Sequence, residues 1–399
     1  MLALKKKFSD SFNFVVNKTV IVRADLNLPI FEGKITDFTR LEKIIPTFHE
    51  LLNRNAKILV LSHFGRPKGI INNTYSLKPI IPELEQHLKK TVFFSTKDIN
   101  TFKREELNKI FHSYDVVLQE NIRFYPEEEK NDETFTKKLS SLGDIFVNEC
   151  FSASHRAHSS ILGIPTYLPS FPGKLLEHEV QNLKNLLSDS NSHKTIAIFG
   201  GSKVSTKIRI IEFYAKKFSK ILLGGAMANT FLAAMGNKIG NSLYEKSMIK
   251  FAKEFIKSYE DKITLPVDAI VIKTNEKDFN NYKVKRIDEI EKNEIIMDIG
   301  PQTRMKFFDE ILLSEKLLWN GPLGLFEKKP FDAGTAFVMK SIKTNKSKNF
   351  FSVAGGGDTI SMLKQADSFD NFSFVSTGGG AFLEFIQGVE LPGLLALNK

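Results

Sequence analysis

Short apolar runs that stop on a polar or glycine-bearing turn and pass into a helical stretch recur throughout this chain. In the first half they are Thr19–Asp25, Lys57–Ser62, Asp115–Gln119 and Asp144–Asn148. In the second half strands are predicted at 195–199, 220–223, 269–272, 295–298, 316–319, 349–353 and 372–375. A continuous apolar run is buried on both faces, and strands alternating with helices make a parallel, doubly wound sheet with ligands at the strand C-termini. At 399 residues the chain outgrows a single core. The pattern therefore predicts two α/β lobes. Pro165, Pro169, Pro172 and Gly173 mark a boundary within 165–195, and a helix over Leu175–Leu187 is predicted to bridge the lobes.

Three turns are rich in glycine: Ile196–Lys207, Phe351–Thr359 and Ser376–Phe385. Each reads as strand, glycine turn, helix start. Glycine lets the backbone turn sharply, and a helix start presents bare N–H groups that suit an anion. Three such corners point to phosphate chemistry. The first half differs. Its strands end in Asp25 and Asn27, in His63 and Arg66, in Arg123 and in Arg156, while Arg40 opens a helix through Leu41, Ile44 and Ile45. Arginines gathered at one sheet edge repel unless an anion joins them, so a multiply charged anionic substrate is expected. Edges lined with glycine and sparse in arginine, as in the second half, suit a nucleotide.

The net charge of +10 raises nucleic acid as a partner, but the lysines are dispersed along the chain and predict a solvated basic surface instead. One cysteine, Cys150, excludes an intrachain disulfide framework and fits a reducing compartment. No apolar stretch follows the lysines of the first ten residues, and none is long enough for a membrane span. A cytoplasmic monomer is the expectation. A dehydrogenase is disfavoured because no strand is followed by Gly-x-Gly-x-x-Gly with an acidic residue about twenty further on. A P-loop kinase is disfavoured because Gly-x-x-x-x-Gly-Lys-Ser/Thr is missing.

In order along the chain stand Val22–Pro29, Ser62–Pro67, Glu120–Phe124, His155–Ser160, Gly200–Lys207 and Gly225–Phe231. Asp298–Pro301, Trp319–Glu327, Gly355–Thr359 and Ser376–Ala381 follow. Together these runs resemble the phosphoglycerate kinase family, from about residue 20 to Leu391–Gly393. The resemblance implies reversible transfer of a phosphoryl group between ATP and the carboxylate of 3-phosphoglycerate. It implies two similar-sized lobes, 1–170 for the glycerate substrate and 188–386 for the nucleotide. A hinge helix over 171–187 would join them, and a tail at about 387–399 would return to the first lobe.

By position, the resemblance places Asp25, Asn27, Arg40, His63, Arg66, Arg123 and Arg156 on 3-phosphoglycerate. It places Gly201, Lys203, Lys207, Asn320, Glu327, Gly356, Gly357, Asp358 and Thr359 on ATP or ADP, with Asp358 holding Mg²⁺. Arg40, Lys203, Gly379 and Gly380 would face the transferring phosphoryl group. The acceptor carboxylate is already ionised, so no general base is needed. His63 and Glu120 therefore read as binding or structural groups, His158 as structural and Cys150 as a buried, inert thiol. The chain departs from the usual family pattern at Glu149 and Cys150, at Ser202 and Thr206, and at Phe374 and Phe382. Facing sites on separate lobes imply that the lobes close for transfer.

Overall fold

The computed structural model describes residues 4–188 and 194–398. Residues 1–3, 189–193 and 399, which include part of the lysine-bearing start and of the expected boundary, lie outside the described residues. The chain divides into two compact units, Met1–Gln181 with Val389–Lys399, and Asn182–Gly388. No helix among the described residues is long and apolar enough to cross a membrane.

The first unit is built on β1 (Thr19–Ala24), β2 (Lys57–Leu61), β3 (Val92–Ser95), β4 (Val116–Gln119), β5 (Ile145–Glu149) and β6 (Ser170–Pro172). They form one sheet in the order β3-β4-β2-β1-β5-β6, and every pairing is parallel. All six residues of β1 are buried, which is why its apolar run shows no alternation. Strands β2 to β4 extend the sheet on one side of β1 and β5 on the other, so the winding reverses beside β1. Open α/β sheets bind ligands at such a reversal, beyond the strand carboxyl ends. Two elements were not expected from sequence. Strand β3 is one. The other is β6, where the proline-marked stretch becomes an edge strand, pairing Phe146 with Ser170 and Asn148 with Pro172. Proline is tolerated there because an edge strand need not donate on both sides.

Helix α1 (Thr39–Leu52) buries Leu41, Ile44, Ile45, Phe48 and Leu51 against the sheet core. Helix α2 (Lys174–Leu187) buries Leu175, Leu176, Val180, Leu183, Leu186 and Leu187, the stripe expected of it, and the division between the units falls within it. Its first turn is held by Glu149, at the end of β5. That carboxylate accepts from Thr47 Oγ1 at 2.5 Å, Leu175 N at 3.0 Å and Leu176 N at 3.3 Å. A Cβ on Gly173 would lie 1.9 Å from Glu149 Oε2, so glycine is required where the carboxylate passes.

Burial raises Glu149 from its ordinary 4.5 to about 7, against the pull of these donors. A carboxyl whose folded value is raised contributes stability that is complete below pH 4.5 and is lost as pH rises through about 7. Glu149→Gln should flatten the decline of stability between about pH 5 and pH 7.5, removing a component on the order of 3 kcal/mol. Urea-unfolding midpoints of the two proteins at both pH values check this. Parallel declines would refute it.

The second unit is built on β7 (Thr195–Phe199), β8 (Lys220–Leu223), β9 (Ile263–Thr264), β10 (Asp268–Lys273), β11 (Lys283–Arg286), β12 (Glu294–Ile299), β13 (Lys316–Asn320), β14 (Phe351–Gly355) and β15 (Phe374–Ser376). The main sheet runs β9-β8-β7-β13-β14-β15, all parallel, with its reversal between β7 and β13. Trp319 on β13 is fully buried in its core. The expectation that 269–272 and 295–298 continue this sheet is corrected. As β10 and β12 they belong to a separate antiparallel sheet, β11-β10-β12. No helix separates β10 from β11, and a parallel pairing needs a crossover of a dozen or more residues.

The final segment joins the first unit. Helix α3 (Pro392–Leu397) buries Leu394 and Leu397, and Gly393 N donates to Ser154 O at 2.8 Å.

Candidate functional site

In the first unit the carboxyl edge of the sheet carries the groups that the sequence singled out, and hydrogen bonds knit them together. Asp25 Oδ2 accepts from Ser152 Oγ at 2.5 Å and lies 3.6 Å from Arg40 Nη1. Arg40 Nη1 also donates to Asn27 O at 2.7 Å, while Asn27 Oδ1 accepts from Gly65 N at 2.9 Å. Gly65 O in turn accepts from Arg123 Nη1 at 2.9 Å. Arg66 and Arg156 are exposed, and their side chains make no hydrogen bond or ion pair among the described residues. Glu120 is structural: it accepts from Ser76 Oγ and from the N–H groups of Leu77 and Asn121. Cys150 is buried and free, and burial raises its thiol.

The histidines here are kept neutral. His63 is held well below its ordinary range, first by burial and then by Arg23, Arg123, Arg40 and His158. Burial and the nearby arginines bring His155 to about 4 and His158 to about 3. Burial is the main cause, and the guanidinium groups add to it by opposing a further positive charge beside them. An arriving polyanion would relieve that opposition.

In the second unit, β7 is followed by the loop Gly200–Lys207 and helix Ile208–Lys217. Gly200 N donates to Asn320 O at 3.0 Å across the sheet's reversal, and Gly201 N to Pro322 O at 2.8 Å. Lys207 Nζ donates to Gly200 O at 2.7 Å and Asn320 O at 3.2 Å. Burial lowers Lys207 to about 8, opposed by Asp358. Lys203 is exposed on the same loop and makes no hydrogen bond or ion pair through its side chain among the described residues. After β14, Gly356 adopts φ 101° and helix Gly357–Gln365 begins, with Asp358 exposed in its first turn. Thr359 points inward: it is fully buried and its Oγ1 accepts from Gly321 N at 2.9 Å. It therefore shapes the corner rather than offering a hydroxyl. After β15, Ser376 Oγ takes the N–H of Gly378, whereas those of Gly379 and Gly380 have no partner among the described residues.

The corners after β7 and β14 open onto a cavity of about 350 Å³ lined by Gly201, Ser202, Glu327 and Asp358 at its polar side. Its apolar wall includes Ala269, Ile295, Ile296, Met297 and Ile299 of the small antiparallel sheet and Ile287 just after β11. Asp298 braces that wall. It accepts from Gly334 N at 2.6 Å and pairs with Arg304 at 3.3 Å, and burial raises it to about 7. The sequence marks the glycines and charges of this site and the run Asp298–Pro301, but gives no role to Asp298 and no sign of the apolar wall, because a cavity wall leaves no spacing signal.

Two edges thus stand at two sheet reversals, one of guanidinium groups and one of glycine corners around a cavity. The phosphoglycerate kinase family model matches residues 10–389. The chain belongs to the phosphoglycerate kinase family. It is 42% identical over 397 residues to the phosphoglycerate kinase of Chelativorans sp. (strain BNC1), covering 98% of this chain and 99% of that protein. It is 43% identical over 389 residues to that of Orientia tsutsugamushi (strain Ikeda), covering 96% and 95%. The solved phosphoglycerate kinase from Coxiella burnetii superposes with a TM-score of 0.85 at 34% identity, covering 96% of both chains. The family's two-lobed α/β fold is the fold seen here, and its reaction is the one this chain carries out. The enzyme is a phosphotransferase: it moves a phosphoryl group reversibly between ATP and the carboxylate of 3-phosphoglycerate, a step of glycolysis.

Proposed function

We propose that the arginine edge of the first unit binds 3-phosphoglycerate and the cavity edge of the second binds ATP or ADP. The observation that carries this is the state of the charges: Arg66 and Arg156 are unpaired, and three histidines beside them are driven neutral. Asp25 and Asn27 would take the substrate's hydroxyl side, and Arg40, His63, Arg66, Arg123 and Arg156 its anionic groups. On the nucleotide, Gly201 and Lys207 would shape the phosphate corner, Glu327 would reach the ribose, and Asn320, Gly356, Gly357 and Thr359 would set the backbone against the phosphates. Lys203, Arg40 and the N–H groups of Gly379 and Gly380 would face the transferring phosphoryl group. Their task is to position it and to balance its charge.

Magnesium fits the second unit. Asp358 is exposed beside the cavity, and Mg²⁺ is ordinarily held by one or two carboxylates with substrate phosphates and water. Mg²⁺ would neutralise the nucleotide's phosphate charge, and Asp358 would hold it there. A cytoplasmic setting fits the single, buried, unpaired cysteine. A monomer suffices because every group named lies on one chain, and the dispersed lysines fit a solvated surface rather than a nucleic-acid site.

Calorimetric titration tests the partition. Arg66→Ala and Arg156→Ala should each weaken 3-phosphoglycerate by about tenfold or more with MgADP affinity unchanged, since each removes a charge-assisted contact. Asp358→Asn should weaken MgADP and spare 3-phosphoglycerate. The opposite pattern would reverse the assignment. The reacting atoms must come within ~3–3.5 Å of one another, so ligands held by separate units imply that the units close. Small-angle scattering should give the smallest radius of gyration with 3-phosphoglycerate and a nucleotide analogue together, and equal radii in all four ligand states would exclude closure.

A further inference from the structure

Arg23 differs from the other arginines at the glycerate edge. It lies within β1 rather than beyond it, has 0% exposure, and spends its donors inside the protein. Nε donates to Ser160 Oγ at 2.8 Å, Nη1 to Ala24 O at 2.6 Å, and Nη2 stands 3.2 Å from His63 Nδ1. Nη1 is also 3.8 Å from Cys150 Sγ. Arg23 makes no direct ion pair with a carboxylate among the described residues. Its counter-charge is one step removed: buried Glu128 accepts the Ser160 hydroxyl at 2.5 Å and the Ser160 N–H at 2.9 Å. With its hydrogen committed to Glu128, Ser160 Oγ can only accept from Arg23. The guanidinium is locked in place from both sides.

A guanidinium has hydrogen-bond donors and no acceptor. His63 Nδ1 must therefore be the acceptor of the bond from Arg23, which leaves the ring neutral with its one hydrogen on Nε2. His63 Nε2 makes no hydrogen bond among the described residues, and the side chain keeps 7% of its surface exposed at the edge. We infer that Arg23 is a positioning residue that fixes His63 as the Nε2–H tautomer, so that the imidazole offers the substrate one directed hydrogen-bond donor instead of a charge. This rests on the reading that His63 faces 3-phosphoglycerate. The groups around the ring agree, since Arg23, Arg123, Arg40 and His158 all oppose its protonation. The arrangement also explains why the edge uses a histidine at all. Another cation would add to a field that already includes Arg23, Arg40 and Arg123, whereas a neutral donor adds direction without repulsion.

Nitrogen-15 NMR of histidine-labelled full-length protein reads the tautomer directly, with His63 assigned by its loss in His63→Gln. The expected spectrum has a pyridine-type Nδ1 and a protonated Nε2, unchanged from about pH 6 to about pH 8. A protonated Nδ1, or an imidazolium in that range, would overturn the inference. Arg23→Lys should convert the signal to a mixture of tautomers; a misfolded variant leaves the wild-type spectrum to decide. Kinetics test the purpose. Glutamine places an amide nitrogen near Nε2 and asparagine near Nδ1, so His63→Gln should raise KM for 3-phosphoglycerate less than His63→Asn, by about tenfold. Equal losses in the two variants would overturn the directed-donor role. The expected tautomer with KM unchanged in both would refute the placing of His63 on the substrate and leave Arg23's control of the ring standing.

Discussion

Replacing Lys203 by alanine should lower kcat by about two to three orders of magnitude and leave KM for 3-phosphoglycerate within about threefold. Lys203 lies on the loop between β7 and the following helix, exposed and unpaired, while its neighbour Lys207 is tied to Gly200 O and Asn320 O. The two lysines therefore do different work. Lys207 holds the glycine loop against β13, whereas the Lys203 side chain has no partner among the described residues and is the one proposed to meet a ligand. Phosphoryl transfer leaves little covalent chemistry to the protein, so a cation that meets the migrating group mainly in the transition state acts on kcat rather than on ground-state affinity. Steady-state kinetics with both substrates varied measure this, and circular dichroism shows whether the fold persists. If kcat stays within about twofold of wild type, Lys203 has no part in transfer.

Gly200→Ala should weaken nucleotide binding by about tenfold to a hundredfold, while Gly357→Ala, in an equally glycine-rich corner, should leave the fold intact. A Cβ on Gly200 would lie 2.0 Å from Pro322 O, 2.6 Å from Pro322 C and 2.8 Å from Gly321 O. All three are backbone atoms of the β13 turn, so nothing flexible can yield. The turn must shift, and with it the acceptor of Gly201 N and the floor of the cavity. Overpacking of this kind costs about 1–3 kcal/mol or more, concentrated at the site. A Cβ on Gly357 meets nothing within 4 Å, and the backbone there has no left-handed φ. The melting temperature of Gly357→Ala should match wild type. Its KM for ATP then asks a separate question, because a rise there would show that the glycine serves close approach of the nucleotide. Normal MgADP affinity in Gly200→Ala would show that the corner is more pliable than its packing suggests.

The parts of the site legible in the sequence are those where one residue type does one thing at a strand end. Arg66, Arg123 and Arg156 each follow a short apolar run, and parallel winding brings such ends to one edge. Arg23 was not legible because it sits inside the run it interrupts, where a charge reads as a break in the pattern and not as part of the site. Glu149 was visible as a departure, but its bonds to Leu175 N and Leu176 N join segments that only the fold brings together. The apolar runs at β10 and β12 gave their positions correctly and their direction wrongly. Direction depends on what the connecting chain can span, which apolar periodicity does not record.

The last segment, with Gly393 donating to Ser154 and Asn398 Oδ1 accepting from Lys5 N at 2.8 Å, has a consequence for the order in which the molecule is made. Synthesis proceeds from the amino end, so the ribosome delivers all of Asn182–Gly388 before it delivers the residues that complete the unit begun first. The second unit can therefore be whole on a nascent chain while the first still lacks Leu394 and Leu397 from its interior. Gly393, in the same late helix, packs beside Ser154 and Ile161, on either side of the His155–Arg156 pair. The anion edge reaches its finished form only after the second unit has been delivered, so a translation product interrupted before Val389 would carry a complete second unit and an incomplete first one.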